Sequence, residues 1–206
     1  MADLTIITGA DDTAIASWIG ERLEAALTLE PAGIAIAVPG GSTPFPILAK
    51  LAHAPLAWDR VVVWPGDERC VPDGHPASNA GRIRGLLEPA GAMVMPLTED
   101  ARPPHFALTW LGMGADGHVA SLFPSSDPCA DDPLPVRRIR PEPLPADAPF
   151  ERLSLTIPAL LETDAVLFVI RGADRRALFE AAAEGANDLP VARLLAAARM
   201  PVTCFS

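Results

Sequence analysis

The chain has 206 residues, half of them hydrophobic, with a formal charge of −10 and Lys50 as its only lysine. That length suffices for one domain with a sizeable core, and no apolar run approaches the roughly 18 residues of a membrane span. The acidic balance argues against nucleic acid, whose phosphates reward a basic face, and the single lysine leaves almost no candidate for Schiff-base chemistry. Leu4 to Thr8 reads as a first strand; the residues before it lack a basic segment and do not resemble a secretory signal. Asp11 or Asp12 then caps a helix whose Ile15, Ile19, Leu23 and Leu27 recur every four residues. Ile34 to Val38 is a buried-type strand, followed by Pro39-Gly40-Gly41-Ser42-Thr43-Pro44, in which Ser42 or Thr43 can cap a helix with proline in its first turn. Val61 to Trp64 is a third strand, a helix ends near Leu87, and a short strand lies around Met93 to Met95.

Phe106 to Leu111 is a fourth main strand, leading into a glycine-punctuated loop and then an apolar, helix-like run that ends at Pro124. Eight prolines lie between Pro124 and Pro149, so 124 to 157 reads as an irregular insert, with Leu153 to Ile157 alternating as a half-exposed strand. Ala165 to Ile170 is a fully apolar strand, Asp174 to Glu184 and Pro190 to Ala198 are helices, and Pro201 to Phe205 closes as a strand. Strand–helix alternation from end to end predicts an α/β fold: a layered, largely parallel, Rossmann-like sheet with helices on both faces, formed by 1–206 as a single domain. Cys70, Cys129 and Cys204 are odd in number and share no metal-type spacing, which fits reduced thiols and a cytoplasmic protein; Cys70 reads as a small buried filler.

In such sheets ligands bind at the carboxyl ends of strands, and three loops meet that condition: 39 to 44, 65 to 79 and 112 to 118. Gly40 to Thr43 at a helix start offers N–H donors, hydroxyls and a helix dipole suited to phosphate, as well as to an ordinary cap. Asp67-Glu68-Arg69 is either a structural ion-pair knot or, through the planar fork of Arg69, a phosphate clamp. The third loop holds Asp116 and His118, and an imidazole suits proton transfer near neutral pH. Its glycines can turn successive N–H groups toward an anion or oxyanion. Gly112, Gly114 and Gly117 spell the G-x-G-x-x-G of a dinucleotide turn, but the prolines beyond them cannot supply the βαβ unit such a turn opens, so no nicotinamide cofactor is expected. Asp116 and His118 find no third ligand at credible spacing, and no metal is expected.

Taken in order, the runs GGSTP at 40 to 44, DERCVP at 67 to 72 with HPASN at 75 to 79, LGMGADGHVASLFP at 111 to 124, LSLTIPALL at 153 to 161 and AVLFVIRGADRRAL at 165 to 178 resemble the 6-phosphogluconolactonase family. The related glucosamine-6-phosphate deaminases share GG[ST]P and DGH but continue toward an FNEP-like run, where this chain continues Ala120-Ser121-Leu122-Phe123-Pro124. The resemblance implies hydrolysis of 6-phosphoglucono-1,5-lactone to 6-phosphogluconate, in the pentose phosphate pathway, without metal or organic cofactor. It implies His118 as general base, Asp116 or Asp67 as its orienter or as a ligand of sugar hydroxyls, and Gly41, Ser42, Thr43, Arg69 and Arg175 around the phosphate. The implied partner is a small sugar phosphate; the sequence does not fix the oligomeric state, and a monomer is the expectation. Departures are Arg175 where the family commonly has lysine, Ala77 where it often has an acid, and a short 96–105 connection. The competing readings are a deaminase-like isomerase and a noncatalytic sugar-phosphate sensor; a sensor of this kind usually carries a basic helix-turn-helix module, for which the chain leaves no room.

Overall fold

The computed structural model describes residues 3–142 and 149–206, so Pro143 and Pro145 of the proline-rich stretch lie outside it. In chain order it contains β1 (Leu4–Ile7), α1 (Asp12–Leu29), β2 (Ile34–Val38), α2 (Pro44–Leu51), β3 (Val61–Pro65), β4 (Asp67–Arg69), α3 (Asn79–Leu87) and β5 (Met93–Val94). There follow β6 (Leu108–Leu111), β7 (Val136–Ile139), β8 (Arg152–Leu155), α4 (Ile157–Leu161), β9 (Val166–Val169), α5 (Ala173–Ala183), α6 (Pro190–Ala197) and β10 (Val202–Phe205). Among the described residues, seven strands form one sheet in the order β1-β10-β9-β6-β2-β3-β5, and every neighbouring pair in it is parallel.

A parallel strand covered on both faces buries every side chain. All five residues of β2 are buried; Ile34, Ile36 and Val38 face the layer of α1, α2 and α3, while Ala35 and Ala37 face that of α4, α5 and α6. Helix α1 shows why its sequence folds this way. The Asp11 carboxylate accepts the Ala14 N–H at 2.8 Å, and Ile15, Ile19, Leu23 and Leu27 form the buried stripe. Each such side chain contributes about 1.5–3 kcal/mol of transfer free energy.

The chain runs outward from β2 through β3 to β5, returns to β6 on the other side of β2, and runs outward again through β9 and β10. The strand order reverses between β2 and β6, where a crevice opens at the carboxyl ends of the strands.

Three expectations from sequence need correction. The segment 124 to 157 is not wholly irregular: β7 and β8 pair antiparallel, and β8 also pairs with β4, giving a second, three-stranded sheet. β8 is its middle strand and all four residues are buried, not half exposed, because hydroxyls occupy the positions that looked solvated: Ser154 Oγ accepts the Ser121 N–H at 3.1 Å and Thr156 Oγ1 donates to the Leu134 carbonyl at 2.8 Å. The run after His118 is a tight turn rather than a helix, closed by the Leu122 N–H on the Val119 carbonyl at 2.9 Å, with Ala120 at φ 50°.

Candidate active site

At the strand-order reversal a cavity collects four segments. The turn after β2 contributes Gly40 to Thr43, the loop after β6 contributes Gly114, His118 and Ala120, the turn after β9 and the first turn of α5 contribute Arg171 and Arg175, and Asp67 of β4 closes the remaining side. Of the sequence-predicted residues, Gly41, Ser42, Thr43, Asp67, His118 and Arg175 therefore meet, with Asp116 directly behind His118.

His118 Nδ1 lies 2.6 Å from Asp116 Oδ1. A carboxylate only accepts, so Nδ1 carries the hydrogen and the neutral ring keeps its lone pair on Nε2. Partial burial pulls the Asp116 carboxyl upward, but the charge and hydrogen bonds of His118 outweigh that and hold it below the usual carboxylate range. Phe123 backs the imidazole, ring centroids 4.7 Å apart. Gly114 is the floor beneath the pair: a Cβ built there would overlap Cε1 and Nδ1 of His118 and lie 2.7 Å from Asp116 Oδ1. The glycines do not all aim N–H groups outward as expected. The Gly114 N–H donates to the His118 carbonyl at 3.0 Å and the Gly117 N–H to the Gly114 carbonyl at 3.1 Å, so both close the loop on itself.

The acids of the second loop divide their work. Glu68 is buried and accepts from the N–H groups of Arg69, Asn79 and Ala80 at 2.6–2.7 Å and from Ser78 Oγ at 3.0 Å. It fastens the start of α3, where an anion also meets the helix dipole. Asp67 instead reaches the cavity, with Oδ2 accepting from Ser121 Oγ at 2.6 Å. Arg69 does not line the cavity. Its Nη1 donates to the Ala77 carbonyl at 2.8 Å and to Asn79 Oδ1 at 2.9 Å.

Ser42 and Thr43 face the cavity, and Thr43 occupies the N-cap of α2 without a side-chain capping bond, so the expected hydroxyl cap is not made. Gly41 turns the chain there at φ 99°, a conformation that favours glycine. Opposite stands Arg171, which the sequence reading passed over. Its Nη2 meets Asp12 Oδ1 at 2.8 Å, and the Arg175 Nη1 donates to the Arg171 carbonyl at 3.3 Å. The available signal was its position, just past the apolar run of β9 and before Gly172, at the strand end where ligands bind. Two guanidiniums, two hydroxyls and a helix start are groups that could together hold an anion. Among the described residues no cluster of three or more His, Cys, Asp or Glu is arranged to hold a metal.

The cysteines lie outside this cavity. Cys70 is exposed, not a buried filler, and burial of its sulfur raises the thiol pKa more than nearby Arg138 lowers it. Cys204 is buried and its thiol is pushed up to about 12 by desolvation. Thiolate is the reactive form. An aromatic disulfide reagent at mildly alkaline pH therefore titrates Cys70 and Cys129 in the native protein and Cys204 only after unfolding; immediate reaction of all three would contradict this burial.

Comparison with known proteins fits the geometry. The family model for glucosamine-6-phosphate isomerases/6-phosphogluconolactonase matches residues 11–99 and 88–202. A 6-phosphogluconolactonase of Mesorhizobium japonicum is 37% identical over 93% of this chain and 89% of its own length. One from Pseudomonas aeruginosa is 34% identical over 92% and 87%. The crystal structure of 6-phosphogluconolactonase from Thermotoga maritima superposes with a TM-score of 0.82 at 25% identity, covering 98% of this chain and 99% of that one. By sequence along nearly its whole length and by fold, the chain belongs to the glucosamine-6-phosphate isomerase/6-phosphogluconolactonase family.

Proposed function

We propose that the protein hydrolyses 6-phosphoglucono-1,5-lactone to 6-phosphogluconate. The observation that carries this reading is His118, held by Asp116 at 2.6 Å, in one cavity with Ser42, Thr43, Arg171 and Arg175. Asp116 keeps the imidazole in the tautomer whose Nε2 can accept a proton. Nε2 takes it from a water as the water oxygen attacks the lactone carbonyl carbon. When the tetrahedral intermediate collapses, the bond from that carbon to the ring oxygen breaks, and the imidazolium returns the proton to the departing alkoxide. Asp67 binds a sugar hydroxyl. The phosphate, remote from the reacting bond, sits on the guanidiniums and the start of α2, and its binding energy holds the carbonyl in place. No step calls for a metal or a nucleotide.

We read residues 1–206 as one domain acting on a small sugar phosphate; the acidic charge argues against nucleic-acid partners, and the unpaired thiols fit a cytoplasmic setting. Among the described residues no helix is long and apolar enough to cross a membrane.

The phosphate assignment is tested by comparing 6-phosphogluconolactone with unphosphorylated gluconolactone. A hydrogen bond to a charged group contributes about 1.5–3 kcal/mol, so Arg175→Ala and Arg171→Ala should each lower kcat/KM for the phosphorylated lactone roughly ten- to a hundredfold. The unphosphorylated lactone should be hardly affected. Equal losses on both substrates would remove these arginines from the phosphate site.

A further inference from the structure

We infer that Ser121 and Asn79 are positioning residues that fix the orientation of the Asp67 carboxylate toward the substrate. Among the described residues lining the cavity, Asp67 is the one acid. Each of its oxygens receives a donor from a different element: Ser121 Oγ reaches Oδ2 at 2.6 Å from the His118 loop, and Asn79 Nδ2 reaches Oδ1 at 3.2 Å from the start of α3. Asn79 Nδ2 also donates to the Asp67 backbone carbonyl at 2.9 Å. A carboxylate held at both oxygens cannot swing about its χ angles to meet whatever enters, so its remaining lone pairs point in set directions.

The two donors are themselves fixed. Ser121 is 2% exposed, and its N–H donates to Ser154 Oγ at 3.1 Å. Ser154 is the register partner of Asp67 in the small sheet. The turn that carries Ser121 contains Ala120 at φ 50°, one of two non-glycine residues with positive φ among those described. Such a conformation costs on the order of 1–3 kcal/mol and persists only where its surroundings impose it; here it turns the Ser121 hydroxyl inward to Asp67. Asn79 is 1% exposed. Its Oδ1 accepts from Arg69 Nη1 and its N–H meets Glu68, while its amide lies so close to Gly40 that a Cβ there would overlap it. Arg69 and Glu68, both outside the cavity lining, thus act by holding Asn79. The bond from Ser121 to Asp67 also ties the loop bearing the base to the acid across the cavity.

The inference rests on the proposed reading in which Asp67 binds a substrate hydroxyl, and a double-mutant cycle separates the two. With the phosphorylated lactone, Ser121→Ala should lower kcat/KM roughly ten- to a hundredfold, and Asp67→Asn at least as far. The double variant should be no worse than Asp67→Asn alone, because Ser121 acts only through that carboxylate. Inhibition by inorganic phosphate, which reports the Ser42 to Arg175 end, should stay within about twofold of the parent in every variant. A general loosening of the fold would move that constant. Additive losses, or an unchanged rate in Ser121→Ala, overturn the positioning role. Full activity in Asp67→Asn overturns it together with Asp67's part in the reaction. Should Ser121→Ala fail to fold, Ser121→Cys, a weak donor of similar size, carries the same cycle.

Discussion

Replacing His118 by asparagine should lower kcat for the phosphorylated lactone by about 10²- to 10⁴-fold, the range lost with a general base, while the protein stays folded. The ring sits on an exposed loop, backed by Phe123 and held by Asp116, so its removal leaves both hydrophobic layers intact. KM should change little, since the phosphate end of the cavity is untouched. The Asp116 carboxyl, held below its usual range by His118, stays ionised down to mildly acidic pH, so its hold on the ring persists there. A variant with near-parental kcat would remove His118 from the role of base.

Gly114→Ala should be nearly as damaging, for a reason that involves no lost functional group. The added methyl would occupy the space of the imidazole and of the carboxylate behind it. Gly114 does not lie in the left-handed region, so alanine fits the backbone there and the cost is steric alone. The easiest relief is rotation of His118 off its floor. A misplaced catalytic group costs on the order of 10²-fold, so kcat should fall by about that much with little change in the thermal midpoint. Gly117→Ala is a different case, because Gly117 has φ +79° and a Cβ would lie 2.8 Å from Leu189; that variant should lose stability as well. A fully active Gly114→Ala would show that the His118–Asp116 pairing is dispensable.

The parts of the fold visible in sequence are those where one periodicity decides the outcome. The four-residue spacing in α1 and the unbroken apolar runs of β2 and β9 left little room for another reading. The small sheet was hidden because β4 is only three residues long and wholly polar, and because alternation of hydroxyl with apolar residues in β8 looks the same whether its polar face meets water or other strands. The site was legible where a loop carries its own chemistry, as at Asp116 and His118. It was illegible where a role depends on the far end of the chain. Nothing local marks Arg69 as engaged with Ala77 and Asn79, or Arg171 as drawn to Asp12, or Ser121 as a partner of Asp67, 54 residues away.

The central claim is tested most directly by following fresh 6-phosphoglucono-1,5-lactone with the purified protein, with chelator present and no added nucleotide, and reading 6-phosphogluconate against spontaneous hydrolysis. The expected result is a rate far above the spontaneous one, insensitive to chelation and reduced toward background in His118→Asn. A rate equal to spontaneous hydrolysis, or one abolished by chelator and restored by zinc, would contradict it.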